Sequence, residues 1–306
     1  MHVDLRTVLL SSGLSIIIYM LSIYFPVFGG FVSFFSPLPL GYVRLKDKKI
    51  ETYLALLIAI IFLFAIYGFS GAFLYLFQYV VPLLLFIEIY LKSLNFFSSL
   101  TISCLFLIFC FYLSFGMYFS FDFSTLNNKL IQYLNKSLNI TLKSYFSNLS
   151  KAELIEINSK IKSLLKFFVK ILPSIMFIFH SAVMVGNFYI LKRITEKFKT
   201  IDLTKWRLPF FIVWIFIVSG FLMFLFRKNF IYTISINFFI VSCFLFLIQG
   251  LCIVEFWFNK INASPVMRGL FLFTLFFFQI LFIFIAILGL FDSWFDFRKL
   301  NKEVNK

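Results

Sequence analysis

The chain has 306 residues, 62% of them hydrophobic and only 13% charged, with a mean hydropathy of +0.99. A soluble domain carries roughly 25% charged residues, so a fold this poor in charge excludes a water-solvated surface and requires lipid around most of it. In such a chain a net charge of +15 points to anionic headgroups and orientation signals rather than to nucleic acid.

A membrane-crossing helix needs about 20 apolar residues. On that ruler the candidates are 8–25, 27–43, 51–68, 71–91, 97–120, 167–191, 208–226, 230–254 and 266–291. The first has a weakly charged start and no cleavage site, and reads as a retained span. The second is short and contains Gly29, Gly30, Pro37 and Pro39. Each proline removes a backbone donor and presses on the carbonyl four residues earlier, Ser33 for Pro37 and Phe35 for Pro39. The residue before each is also pushed towards extended geometry. The segment is therefore expected to kink or unwind around Ser36–Gly41, its freed carbonyls facing protein, with Arg44 reaching back towards them or the headgroups. A simple helix end at Ser36 is the alternative. Eight crossings and nine are both compatible with the pattern.

Orientation follows the basic residues of short loops. Across the first five segments Arg6, Arg44, Lys46, Lys48, Lys49 and Lys92 fall on one side and none on the other, which places the N-terminus in the cytoplasm. With nine crossings the remaining basic residues bring the two sides to 14 each, and the side of the C-terminus stays open.

Residues 121–166 form the one large non-spanning region. Leu126, Leu130, Leu134, Leu138, Leu142 and Phe146 recur every four residues, as on an amphipathic helix. Ser150, Glu153, Leu149 and Leu154 then make a capping box with a staple. The apolar face Leu154, Ile157, Ile161, Leu164 and Phe168 runs on into the sixth span, with lysines opposite, as in a helix lying in the interface plane. An ordinary solvated loop packed on the bundle is the alternative.

Polar groups at membrane depth are costly and are functional candidates. His180 is central in its span, and Pro173, Met176, His180, Met184 and Asn187 share one helical face. Such a stripe suits a binding cavity, and it equally suits a hydrogen-bonding seam, the more ordinary use of a lone histidine. Gln78 in the fourth span, Gln249 in the eighth and Gln279 in the last complete a candidate polar midplane, provided they converge. Glu88 reads as an interfacial partner of Lys92, and Glu255 and Asp292 as helix-end groups within reach of water. Cys104, Cys110, Cys243 and Cys252 sit in apolar runs without metal-ligand spacing. No metalloprotease, nucleophile-elbow or phosphate-loop motif occurs, so neither catalysis nor a cofactor is expected.

The stretch SPLPLGYVRLKDKK, with Pro37, Pro39 and Arg44, resembles an early signature of the YybS-like family of uncharacterised bacterial membrane proteins. KWRLPFFIVW resembles its Trp-x-Leu-Pro approach to a span. NFFIVSCFLFLIQGLCIVEFWFNKINASPVMRGLF shares its Asn, its Gln-Gly-Leu and a Ser-Pro-x-x-Arg helix start that contains Arg268. LGLFDSWFDFRKL, with Asp292, Asp296 and Arg298, resembles the family's closing motif. That family is distantly similar to the S components of energy-coupling-factor vitamin transporters and to the cell-shape protein MreD. The likeness implies a compact bundle around a substrate cavity, by fold analogy alone. S components dock a partner through a stripe of small residues, for which Ser11, Ser12 and Ser15 are the nearest equivalent.

The expectation is an all-α, polytopic transmembrane bundle of eight or nine spans in the bacterial cytoplasmic membrane. Its parts are an N-terminal bundle at 1–120, a basic amphipathic interfacial segment at 121–166 and a C-terminal bundle at 167–306. A small-molecule transport or transporter-associated subunit is one reading, and a non-transporting envelope scaffold of the MreD kind is the other. Expected partners are anionic lipid headgroups, a membrane protein and an unidentified small ligand, without nucleic acid.

Overall fold

The computed structural model describes residues 3–92, 95–118, 151–195, 202–227 and 229–300, with five further positions between 128 and 135. Among the described residues every regular element is helical. The chain divides into two compact units, one of Met1–Cys104, Ile178–Trp214 and Ser242–Lys306, the other of Leu105–Phe177 and Ile215–Val241.

In the first unit Asp4 caps α1 (Leu5–Tyr24), accepting from Thr7 N at 3.2 Å. Pro26 opens α2 (Pro26–Ser33) at a position where a missing N–H is harmless. After α3 (Leu38–Leu45), α4 (Lys49–Leu74), a π-helical turn (Tyr75–Val80) and α5 (Val81–Leu91) follow without coil between them. They do not form a rod. A straight helix would hold Tyr53 and Glu88, 35 positions apart, at about 50 Å, yet Tyr53 Oη donates to Glu88 Oε1 at 3.3 Å. Gly68 makes the reversal, with φ 67° and ψ −168°, a conformation that a side chain would strain.

Val8, Ile16 and Tyr19 of α1 share one core with Ala55, Ala59 and Leu63 of α4 and with Tyr75. The alanines let the helix backbones close on each other, the usual device where lipid supplies no hydrophobic drive. Ser11, Ser12 and Ser15 are buried in this unit, whereas Leu9, Leu10, Leu14 and Ile17 on the other side of α1 are exposed. Exposed phenylalanines such as Phe64, Phe69, Phe273 and Phe284 make an apolar exterior suited to lipid.

α6 (Phe96–Tyr118) is followed among the described helices by α7 (Lys151–Ile194), 44 residues long. α7 begins at Lys151 and runs unbroken into the sixth span, as the continuing apolar face implied. Ser150 itself, the side chains of 151–158 and the leucine series Leu126–Leu142 with Phe146 lie outside the described residues, apart from a few isolated positions. Further on, Leu164 and Phe168 are exposed while Leu165 and Val169 turn inward.

Within the second unit, Pro173 weakens α7, and Asn237 of α9 (Phe230–Lys260) repairs it. Its Oδ1 accepts from Ser174 N at 2.9 Å and its Nδ2 donates to Lys170 O at 2.8 Å. The amide thus bridges Ser174 N and Lys170 O, the helical pair next to the Val169 carbonyl that Pro173 leaves without an N–H. α8 (Phe211–Leu225) packs on α9 as a hairpin, with Phe216 and Phe239 stacked at 4.9 Å.

The last two helices, α10 (Pro265–Phe277) and α11 (Ile280–Phe295), meet at a bend of 110°. Ser264 caps α10 through Met267 N at 3.2 Å, the helix start expected of its Ser-Pro-x-x-Arg sequence. Arg268 in its first turn bonds Glu255 at 2.6 Å and Asn259 at 2.9 Å. Near the other end of the pair, Gly289 O accepts from Gln249 at 2.9 Å. Positions 249 to 259 of α9 span about 15 Å, so both ends of the pair return to one stretch of α9. Gly250 and Gly289 permit that approach: a Cβ at either would lie 2.0 Å from a backbone oxygen, of Ile285 or Phe246.

Among the described residues five helices are long and apolar enough to cross a membrane, or six if the bent pair is one span. The expected segment 27–43 is cut into two helices of 8 residues, 208–226 shrinks to 15, and 51–68 and 71–91 form one continuous run.

Candidate functional site

α2 ends at Ser33 and α3 begins at Leu38, so the second segment is interrupted over Phe34–Pro37. The break lies earlier than the expected Ser36–Gly41. Pro37 becomes the N-cap and Pro39 falls in the first turn of α3, where neither has an intrahelical N–H to remove. The freed carbonyls face protein. Ser33 O accepts from Ser36 N at 2.9 Å and Phe35 O from Leu38 N at 3.0 Å. Phe34 O accepts from Asn187 Nδ2 at 2.7 Å, and Ser36 O from Ser15 Oγ at 2.5 Å.

Proton counting orders this cluster. Ser15 has one hydroxyl proton and Ser36 O takes it, so Tyr75 Oη, 2.5 Å from Ser15 Oγ, is the donor of that pair. Ser33 Oγ donates to Gly30 O at 2.7 Å and lies 3.1 Å from Tyr79 Oη. Tyr75 and Tyr79 both belong to the π-helical turn, an element that often accompanies functional sites. Ser33 and the two tyrosines were not candidates from sequence, where Ser15 counted only towards a docking stripe and Ser36 only as the start of the expected break. Two tyrosines four apart at mid-span, on the helix that carries Gln78, were the available signal.

Among the described residues two buried oxygens at the break have no hydrogen-bond partner, Ser36 Oγ and Asn187 Oδ1, and both residues are 0% exposed. Asn187 is thus drawn to the break as a sequence candidate, together with Pro37 and Pro39. His180, two turns before it on α7, is buried with its ring edge-on to Phe77 at 6.2 Å and to Phe179 at 5.9 Å. Gln78 is half-buried in the π-helical turn.

The remaining candidates do not join this site. Gln249 accepts from Leu208 N at 2.8 Å and donates to Gly289 O, and Gln279 is exposed where α11 begins. The midplane set therefore does not converge on His180. Arg44 does not reach back to the break; it forms a two-pronged pair with Glu88, at 2.5 and 2.9 Å. Glu88 consequently pairs with Arg44 and not with Lys92 as expected, because reversal at Gly68 brings α5 beside α3.

Asp292 is also unlike its expectation. It is wholly buried and pairs with Arg298 at 2.7 Å, both side chains 0% exposed. Its Oδ1 accepts from Phe297 N at 2.9 Å, and Arg298 Nη1 donates to Thr204 O and Trp206 O at 2.6 and 2.8 Å. Arg207 adds bonds to Asp292 O and Ser293 O at 3.0 and 2.8 Å. Asp296 ends α11 in the left-handed region, φ 45° and ψ 59°, which folds Arg298 back under the helix. The closing motif is a clamp between the approach to α8, α9 and the chain end.

Just ahead of α4, Lys48 donates to Asp4 at 2.8 Å. That bond holds the Asp4 carboxyl well below the usual carboxylate range and raises the Lys48 ammonium. Among the described residues no three His, Cys, Asp or Glu side chains cluster as a metal site would require.

No curated protein and no solved structure matches the chain. A family model does match, over residues 13–293, nearly the whole length that carries the break, the π-helical turn and the buried clamp. The chain belongs to the predicted membrane protein family DUF2232.

Proposed function

We propose that this protein is a small-molecule-binding transport subunit of the bacterial cytoplasmic membrane, with the α2–α3 break as its binding centre. The observation that carries the reading is a helix interrupted halfway along its apolar segment, beside buried oxygens that no described residue bonds. Irregular backbone at membrane depth persists only where protein or a watery cavity surrounds it, and secondary transporters build substrate sites at such discontinuities. The YybS-like resemblance and its S-component likeness point the same way, by analogy. The serine stripe of α1, however, is buried against the chain's own core, so a docking partner would use the outward face Leu9, Leu10, Leu14 and Ile17.

The proposed topology has eight crossings and one re-entrant hairpin. α1, the broken α2–α3, and the two limbs on either side of Gly68 make four crossings, because Asp4–Lys48, Tyr53–Glu88 and Arg44–Glu88 tie their ends at one level. α6, α7, α8 and α9 make four more. α10 and α11 enter and leave on one side, since both ends are bonded to the same stretch of α9. That moves the C-terminal tail to the N-terminal side and turns the equal division of basic residues into 18 against 10. The larger share marks the cytoplasm.

The envelope-scaffold reading has its own support, because every carbonyl released over Ser33–Ser36 is bonded within the chain. Thermal unfolding of the purified protein against vitamins, other small polar metabolites and envelope precursors separates the two. A ligand at 100 times its Kd raises stability by about 2.7 kcal/mol. A saturable shift weakened tenfold in Ser36→Ala supports the transport subunit. No shift across a broad library supports the scaffold.

A further inference from the structure

We propose that the α2–α3 break binds a monovalent cation of sodium size, with Asn187 Oδ1 and Ser36 Oγ as its side-chain ligands. This rests on the reading of the break as a transport site and names what that site takes.

The Asn187 amide has only one tenable orientation. Its Nδ2 lies 2.7 Å from Phe34 O and 2.7 Å from Val183 O. Turning the amide over would set oxygen against oxygen twice, so Oδ1 is fixed as an acceptor, and no donor among the described residues meets it. Ser36 Oγ, in the break that Asn187 caps, is buried in the same way.

The surroundings are rich in acceptors and short of donors. Pro37 and Pro39 take two N–H groups away from the start of α3. Those of Leu38 and Gly41 are spent on Phe35 O and Pro37 O. The protons of Ser15 and Tyr75 are spent on Ser36 O and Ser15 Oγ. Phe34 O and Ser36 O each keep a second lone pair, while the C-terminus of α2 and the N-terminus of α3 both meet the break, so their dipoles oppose each other there. Such a site, whose unbonded groups are neutral oxygens, suits a cation better than an anion. It contributes no carboxylate, since the Glu88 charge is engaged by Arg44. Divalent ions are held by carboxylates, whereas neutral oxygens and unwound-helix carbonyls suit sodium in membrane carriers.

The full chain in detergent is melted in sodium, potassium, lithium and choline chloride at constant ionic strength. The proposal expects a saturable rise in Tm with sodium over choline. Ser36→Ala, which removes a hydroxyl that bonds no described residue, is expected to melt like wild type in choline but to need at least tenfold more sodium for half the shift. Equal Tm in sodium, potassium and choline would mean that water meets these oxygens, and would overturn the proposal. An unchanged sodium response in Ser36→Ala would overturn it as well. A small-molecule shift measured in choline alongside either result would leave the transport reading intact and remove only the cation.

Discussion

Replacing Arg298 by alanine tests the closing clamp. Wild type sets a guanidinium and a carboxylate 2.7 Å apart with neither exposed. The variant leaves the Asp292 carboxylate with the backbone N–H of Phe297 and the Gln249 amide as its donors, at 2.9 and 3.3 Å. It also strips Thr204 O and Trp206 O of the guanidinium they share. Removing one partner of a buried pair costs about 3–5 kcal/mol, because a charge stays buried without its counter-ion. Against a whole-protein stability of about 5–15 kcal/mol, that is enough to lower Tm markedly. Asp292→Ala exposes the same dependence from the other side. The double variant Asp292→Ala/Arg298→Ala should lose less than the two single losses together, by about 0.5–3 kcal/mol. Denaturant unfolding in a fixed detergent reads all three. An Arg298→Ala protein within about 1 kcal/mol of wild type, or a double variant whose losses simply add, would refute the clamp.

Gly250→Ala forces a methyl group to within 2.0 Å of Ile285 O; the same unfolding assay should show a loss of about 1–3 kcal/mol, and a neutral substitution would show that α9 and α11 do not touch there. Asp4→Asn keeps the cap of α1 but loses the charge that Lys48 meets. The Asp4 carboxyl is depressed in the folded state, so its contribution is present above the ordinary value of 3.8 and fades as pH falls below it. The Tm difference from wild type should therefore be seen at neutral pH and shrink in acid; a difference independent of pH would contradict the ion pair. A C-terminal reporter should be cytoplasmic, on the same side as a cysteine at Lys48, and a periplasmic C-terminus would replace the re-entrant hairpin by a ninth crossing.

Composition alone makes lipid the solvent, and the fault at Pro37 and Pro39 is legible because proline acts on its own helix. Its register is not, since Pro37 and Pro39 can sit inside a helix or at its start, and the donors that choose between these, Ser15 and Asn187, are 21 and 153 positions from their carbonyls. The reversal at Gly68 was legible as a gap between two apolar runs. The Arg44–Glu88 pair was not, because local spacing offered Lys92 and only the reversal brings α3 alongside α5. Asp292 looked like a helix-end group. Its burial depends on the left-handed turn at Asp296, which returns Arg298 to it. Of the polar midplane, His180 and Asn187 share a helix face as periodicity implies, but which partners lie across that face is a matter of packing. Gln249 is held by Leu208 and Gly289, and Gln279 is exposed at the turn between α10 and α11.

The central claim is that the α2–α3 break opens to water at some stage of a working cycle. In a chain with Cys104, Cys110, Cys243 and Cys252 replaced, a cysteine at Ser36 in native membranes is treated with a small, charged, water-soluble thiol reagent. Ser36 is 0% exposed in this conformation. A transport subunit must nevertheless expose the position transiently, so time-dependent labelling is expected, well above that of a cysteine at Leu57, exposed midway along the first limb of α4. No labelling over hours, in a protein that labels normally at Lys48, would contradict the account and make the break a permanent structural seam.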